Sequence, residues 1–297
     1  MTEPNLATNR PRPVLVPEHA RRMAVGPDLQ PLLSELHAPG RSSFKVPHAP
    51  AGALEGVPSE HLRSAPLALP EIDEPTVVHH FVRLSHLNYS VDSGLSPLGS
   101  CTMKYNPKIN EVAARLPGFA ALHPLAPDAL AQGTLELMWE LQQQLGEIGG
   151  FPAVSLHPAA GAHGELTGIL DIRAYHLARG DVERDEFIVP DTYHGTNPAT
   201  ASMAGFKTVN NTSTDDGFVD IDALREALGP RTAAVMLTNP PTLGLFERQV
   251  VELLDAVHEA GALAYMDGAN MNAVLGHFRP GQAGFDVMHF NLHKTFS

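Results

Sequence analysis

The chain has 297 residues, a net charge of −13 and a 43% hydrophobic composition, enough for one large or two smaller cores. The acidic balance offers no basic stripe for phosphates, which argues against a nucleic-acid partner. The single cysteine, Cys101, allows no internal disulfide, and no run approaches the roughly 20 apolar residues of a membrane span. With no secretory signal in "MTEPNLATNRPRP", the expectation is a cytoplasmic protein with no membrane partner.

Thirteen of the 26 prolines fall in residues 1–75. Each removes a backbone donor and disfavours helix before it, so this segment reads as an extended arm. Its apolar residues Val14, Leu15, Val16, Leu29, Leu32 and Leu33 suit an arm lying on a folded surface; a floppy tail is the alternative. Residues 76–125 read as a connecting segment, and 126–297 as the main folded domain. In that domain, residues 126–150 predict a helix, because Leu130, Leu137, Met138, Leu141 and Leu145 recur at helical spacing and Gly149-Gly150 stop it. "AVSLHP" (153–158) predicts a short strand. Residues 162–180 predict a helix with Gly180 just past its end. Strands follow at 186–190, 232–238, 263–267 and 285–292, alternating with helices at 219–229 and 250–261. Strands alternating with helices predict βαβ units and a mainly parallel sheet.

Ligands of such sheets sit at the carboxyl ends of the strands. Those ends carry "AAGAHGE" (159–165), "DTYHGTNPA" (191–199), "NPPT" (239–242), Asp267 with "GANMNA" (268–273), and finally His293 and Lys294. The dinucleotide and P-loop glycine fingerprints are absent, and no zinc motif occurs. A helix opening on small residues can hold one phosphate monoester on its free N–H groups. One phosphate, one strand-end carboxylate and one late lysine together describe pyridoxal 5'-phosphate, whose aldehyde a lysine amine captures and whose pyridine nitrogen a carboxylate keeps protonated.

Five stretches carry a resemblance: "LGSCTMKYNPK" (Leu98–Lys108), "PAAGAHGELTG" (Pro158–Gly168), "HGTNPA" (His194–Ala199), "DGANMNA" (Asp267–Ala273) and "NLHKTFS". In that order they resemble the glycine decarboxylase P-protein family of the glycine cleavage system, nearest to its C-terminal-half subunit, subunit 2 of the two-subunit bacterial form. The resemblance implies a fold-type I, PLP-dependent transferase-like α/β domain with a seven-stranded, mainly parallel sheet. It also implies that a glycine-rich segment and a smaller domain follow the lysine in the whole subunit, so that this chain covers about its first three-fifths. The implied activity is decarboxylation of glycine with transfer of the aminomethyl group to the lipoyl arm of the H-protein, alongside a companion subunit 1 in an α2β2 assembly.

Residue by residue, Lys294 resembles the Schiff-base lysine, Asp267 the partner of the pyridine nitrogen, and His194 the ring stacked on the cofactor. Gly161, Ala162 and His163 resemble the phosphate cradle. Thr196 and Asn270 are weaker candidates. His293 reaches the phosphate or the substrate, or merely fills the strand end. Related chains often have a polar residue where Pro241 stands here, so a contact from that loop would fall to Asn239 or Thr242. Residues 98–108 lie between Gly and Pro punctuation and read as a loop; the resemblance implies that it lies near the site, where Lys104 or Tyr105 touches substrate or the partner's lipoyl arm, and a plain connector is the alternative. Cys101 lacks the charge pattern of a reactive thiolate. The competing readings are a non-catalytic assembly subunit, which should lack the lysine, and another fold-type I enzyme such as a decarboxylase or desulfurase.

Overall fold

A computed structural model describes residues 30–45, 47–65, 67–94 and 105–296. These fall into two compact units, one within Met1–Ser96 and the other within Pro97–Ser297. Residues 14–16 and 29, Cys101 and Lys104 lie outside the described residues.

The first unit is mostly exposed and holds two 3-10 turns (Leu33–Leu36 and Ser59–His61) and one helix, α1 (Glu74–Leu87). Asp73 caps α1 by accepting the Thr76 backbone N–H at 2.9 Å, and Pro75 stands in the first turn, where its missing donor costs nothing. The Thr76 hydrogen bonds and the Arg41 guanidinium hold the Asp73 carboxyl down at about 2.

The second unit opens with two short helices, α2 (Lys108–Ala114) and α3 (Pro117–Ala120), and a long one, α4 (Gln132–Gly149). Gly150 ends α4 in the left-handed conformation, φ +77°, as its glycine pair predicts. Then come α5 (Gly161–Arg179), β1 (Glu186–Pro190), α6 (Thr196–Met203), β2 (Lys207–Asn211), α7 (Ile221–Ala227) and β3 (Thr232–Thr238). The rest is α8 (Val250–Glu259), β4 (Leu263–Gly268), α9 (Pro280–Ala283), β5 (Val287–Phe290) and α10 (Leu292–Thr295).

The strands form one parallel sheet in the order β2-β1-β3-β4-β5. Period-two alternation sends neighbouring side chains to opposite faces. On one face Val235, Leu237, Ala264 and Met266 pack with Leu224 of α7 and Leu253, Leu254 and Val257 of α8. On the other, Ala234, Met236 and Tyr265 pack with Ile169 and Ile172 of α5 and Ala201 of α6. Burying each large aliphatic side chain stabilises this layering by about 1.5–3 kcal/mol.

The architecture is the mainly parallel α/β sheet expected, but the described sheet has five strands, not seven. Residues 153–158, expected as a strand, join no ladder; Gln142 Nε2 instead donates to the Val154 carbonyl at 2.6 Å. β2 was not expected, because "KTVNN" is an edge strand with no apolar run. The last strand ends at Phe290, so His293 and Lys294 ride on the helical turn α10 rather than on the strand.

Candidate active site

The carboxyl ends of β1, β3, β4 and β5 bring the candidate residues to one rim of the sheet. Asp267 ends the apolar run of β4 and is buried. Two hydrogen bonds hold its carboxylate, and an imidazole stands beside it. Asn197 Nδ2, from the first turn of α6, donates to Oδ2 at 3.0 Å. The Ala269 backbone N–H donates to Oδ1 at 3.0 Å, and His289 Nε2 lies 3.2 Å from the same oxygen.

His289 faces Asp267 across the β4–β5 ladder, in register. Its other ring nitrogen, Nδ1, is 2.7 Å from the Tyr265 hydroxyl. Tyr265 and Asp267, two apart on β4, share a face. Burial, with the charges of Glu165, Asp267 and Asp171 adding to it, pushes the Tyr265 hydroxyl well above its ordinary value, so it stays a proton donor. Burial pushes His289 down, against the pull of Asp267 and Glu165, and the Lys294 charge adds to the downward push.

Glu165, in the second turn of α5, completes the group and is 2% exposed. Thr196 Oγ1 donates to its Oε2 at 3.0 Å, and Oε1 has no partner among the described residues. The same Thr196 hydroxyl lies 2.8 Å from Nδ1 of the exposed His194 ring. Glu165, Asp267 and His289 each offer an atom within 4.8 Å of the others, close enough to consider a cation. Asn197 and the Ala269 amide already satisfy Asp267, and the Tyr265 hydroxyl engages His289, so we assign no metal.

Helix α5 sits close on this rim because it presents glycine to the strands. A Cβ at Gly168 would stand 2.6 Å from Tyr265 Cε2, and one at Gly161 would collide with the Asn291 side chain. The 19-residue α5 begins without a side-chain cap, so its first amides, those of Gly161, Ala162 and His163, have no carbonyl within the helix. His163 Nδ1 accepts the Ala159 backbone N–H at 3.1 Å and so closes the loop ahead of the helix. Lys294 is half-buried, and its backbone N–H donates to the Asn291 carbonyl at 3.1 Å. Thr295 Oγ1 donates to Asn272 Oδ1 at 2.9 Å, tying α10 to the 3-10 turn Met271–Ala273 that follows β4.

The remaining candidates stand differently. Asn239 is buried and turned toward its own loop, with Oδ1 accepting the Glu247 N–H at 2.9 Å. Its Nδ2 has no partner among the described residues, and the small cavity it lines, about 20 Å³, has room for a water at most. Asn270 and His293 are exposed. His293 lines an open groove of about 570 Å³ that runs along β5 and meets the rim only at Gly161, Gly164, His289 and Asn291–His293. Glu165, Asn197, Tyr265 and His289 were not singled out in the sequence. The available signal was a polar residue inside a buried run: His289 in "VMHF" and Tyr265 two residues before Asp267.

An uncapped helix start, a buried carboxylate held by two hydrogen bonds and an amine on the adjoining turn form the set of groups that a phosphorylated pyridine aldehyde requires. The residues present therefore fit pyridoxal 5'-phosphate.

Residues 170–297 match the aminotransferase class-V family. The chain is 54% identical over 268 residues to the probable glycine dehydrogenase (decarboxylating) subunit 2 of Thermococcus kodakarensis, covering 90% of this chain and 53% of that protein. It is 54% identical to the Chlorobium chlorochromatii protein of the same name, covering 90% and 56%. The chain thus spans about half the length of the curated relatives it matches. A crystal structure of an inhibitor-bound glycine decarboxylase P-protein superposes with a TM-score of 0.65 at 24% identity, covering 82% of this chain and 54% of that one. A sphingosine-1-phosphate lyase from Burkholderia pseudomallei superposes at 0.58 with 16% identity, covering 82% and 59%. The sheet and its helices have the PLP-dependent transferase fold expected from the sequence, and the resemblance to the P-protein, subunit 2, holds over nine-tenths of the chain.

Proposed function

We propose that this chain carries the cofactor site of a PLP-dependent glycine decarboxylase, the subunit 2 component of a glycine-cleaving complex. The observation that carries the reading is the buried Asp267 at the end of β4, with Lys294 on the turn just past the neighbouring strand. Support comes from relatives that share this sequence at about 54% identity. The lone cysteine agrees with a cytoplasmic setting.

Pyridoxal 5'-phosphate, when bound, supplies an electron sink for the glycine carbon that loses carbon dioxide. The chain's own groups do the rest. The first amides of α5 and the positive end of its dipole hold the phosphate. Asp267 keeps a proton on the ring nitrogen, and the charge it presents there matters most in the transition state. Lys294 would offer its Nζ amine to the aldehyde. His194, oriented through Thr196, would stand against the ring. The acceptor of the aminomethyl group would be the lipoyl arm of an H-protein, and a companion subunit 1 would complete an α2β2 assembly.

The test is spectroscopic and kinetic. The whole polypeptide carrying this sequence, with its companion subunit and H-protein, should show a visible cofactor band that borohydride abolishes, and should exchange the glycine carboxyl with bicarbonate. Lys294→Ala should lose both. A non-catalytic assembly subunit would show neither in the unaltered protein, and a Lys294→Ala variant that keeps a borohydride-sensitive band would sink the assignment of the lysine.

A further inference from the structure

We propose that His289 and Tyr265 are positioning residues for Asp267: the Tyr265 hydroxyl holds the His289 ring by a hydrogen bond, which keeps its other nitrogen 3.2 Å from the carboxylate and so sets how strongly Asp267 holds a ring proton. The inference rests on the reading of Asp267 as the partner of the pyridine nitrogen.

The contacts run from the Tyr265 hydroxyl to His289 Nδ1 at 2.7 Å, then from His289 Nε2 to Asp267 Oδ1 at 3.2 Å. All three residues are buried, Tyr265 completely. Strand register fixes the order: Asp267 pairs with His289, and Tyr265 lies two positions back on the same face of β4. One proton arrangement satisfies every partner. A tyrosine hydroxyl that keeps its proton donates to Nδ1, which leaves the neutral imidazole its N–H on Nε2, the nitrogen 3.2 Å from the carboxylate. Tyr265 thus selects the tautomer of His289, and the tautomer decides whether Asp267 meets a donor or a lone pair. The opposite tautomer would set two acceptors against each other in a dry site.

Asn197 and the Ala269 amide fix the remaining directions of the carboxylate. A hydrogen bond to the charged form of an acid favours that form. Withdrawing the His289 donor makes Asp267 a stronger base toward its ring partner, so the shared proton moves from the ring nitrogen toward the carboxylate. The cofactor then becomes a poorer electron sink. Glu165 faces the same group, and Lys294 acts on His289 by its charge.

The experiment uses the whole polypeptide, assembled with its companion subunit and loaded with cofactor labelled with nitrogen-15 in the ring. Nitrogen chemical shift reports ring protonation directly. In the unaltered protein the ring nitrogen should be protonated. His289→Phe should move the signal toward unprotonated pyridine and lower glycine turnover roughly a hundred-fold. Tyr265→Phe, which keeps the ring volume, should move it the same way and cost roughly ten-fold, the worth of one buried hydrogen bond. KM for glycine should change far less than kcat in both. His289→Gln, whose amide can supply a donor toward Asp267, should restore most of the shift. If Tyr265→Phe and His289→Phe keep both the nitrogen signal and the turnover of the unaltered protein, the positioning role is overturned. If His289→Phe fails to fold, Tyr265→Phe decides: an unchanged nitrogen signal and turnover in that variant overturns the role. An unaltered protein that takes up no cofactor, or holds it with an unprotonated ring, overturns the reading of Asp267 and this inference with it.

Discussion

Strand β4 serves two purposes along six residues. In its middle, Ala264 and Met266 are buried among apolar side chains of α8 and the neighbouring strands. At its carboxyl end Asp267 is buried as well, yet its carboxylate is held by hydrogen bonds from Asn197 and the Ala269 amide and stands beside the polar His289 and Glu165. Burial alone does not separate the two regions. The currency of the contacts does: dispersion and water exclusion in one, directed polar pairs in the other. A substitution in the middle should act on stability, and one at the tip on chemistry.

The sharpest way to break this division is Met266→Ala. A truncation at a site 1% exposed should destabilise the fold by about 2–5 kcal/mol, read from urea unfolding. Cofactor taken up by the molecules that remain folded should keep its spectrum. A changed spectrum at unchanged stability would reverse the assignment of the two regions.

Asp267→Asn tests the tip and should lower turnover roughly 10²–10³-fold. It also has a structural cost. The new amide would face the Asn197 amide donor, and turning Asn197 over would set that donor against the His194 backbone N–H it now accepts at 3.2 Å. One buried donor is stranded either way, at about 1–3 kcal/mol. A loss of stability without loss of rate would mark Asp267 as structural.

Gly168→Ala probes the boundary between the regions. Its Cβ would stand 2.6 Å from Tyr265 and 2.9 Å from Val287, so overpacking should cost about 1–3 kcal/mol in unfolding free energy. A neutral substitution would show that α5 is free to move off the sheet.

The smallest expected effect is a pH dependence. His289 is held below its ordinary value in the folded protein, chiefly by burial. Above about pH 6.5, where the unfolded chain's histidine is neutral, its contribution is fully present. As pH falls through that value toward the depressed folded one, the unfolded state takes up a proton the native state refuses, and stability declines by at most about 1.4 kcal/mol per unit. His289→Gln should flatten that part of a stability-versus-pH curve. An unchanged slope would assign the dependence to other groups.

Much of the sheet was legible because parallel strands buried on both faces read as apolar runs: "FIV", "AAVML" and "LAYM" could be little else in this context. Helix α5 was equally plain, ending on Gly180. Edge strand β2 was hidden because only one side is paired and its residues are mostly polar. "AVSLHP" misled for the converse reason, since an apolar run says nothing about whether a partner strand exists. Helix α6 was masked by Pro198 and its threonines, which lower helix propensity although proline near a helix start is harmless. Within the rim, glycine, aspartate and lysine were conspicuous at strand ends. Tyr265, His289 and Glu165 passed for core because they lie inside apolar segments, and only register and helix–sheet proximity join them.

The glycines of α5 carry one more implication. Gly161 and Gly168 are seven residues apart, so the contact with Tyr265 and the contact with Asn291 act as two supports roughly 10 Å apart along a stiff rod. A rod on two supports has no slack: lifting it at one end tilts it about the other. A single added methyl at 168, buried beneath the helix, would therefore swing the opposite end by a comparable amount. The direction in which the first amides of α5 point is thus set partly by a tyrosine ring two turns away, and sequence drift at the deep support is felt as misalignment at the shallow one.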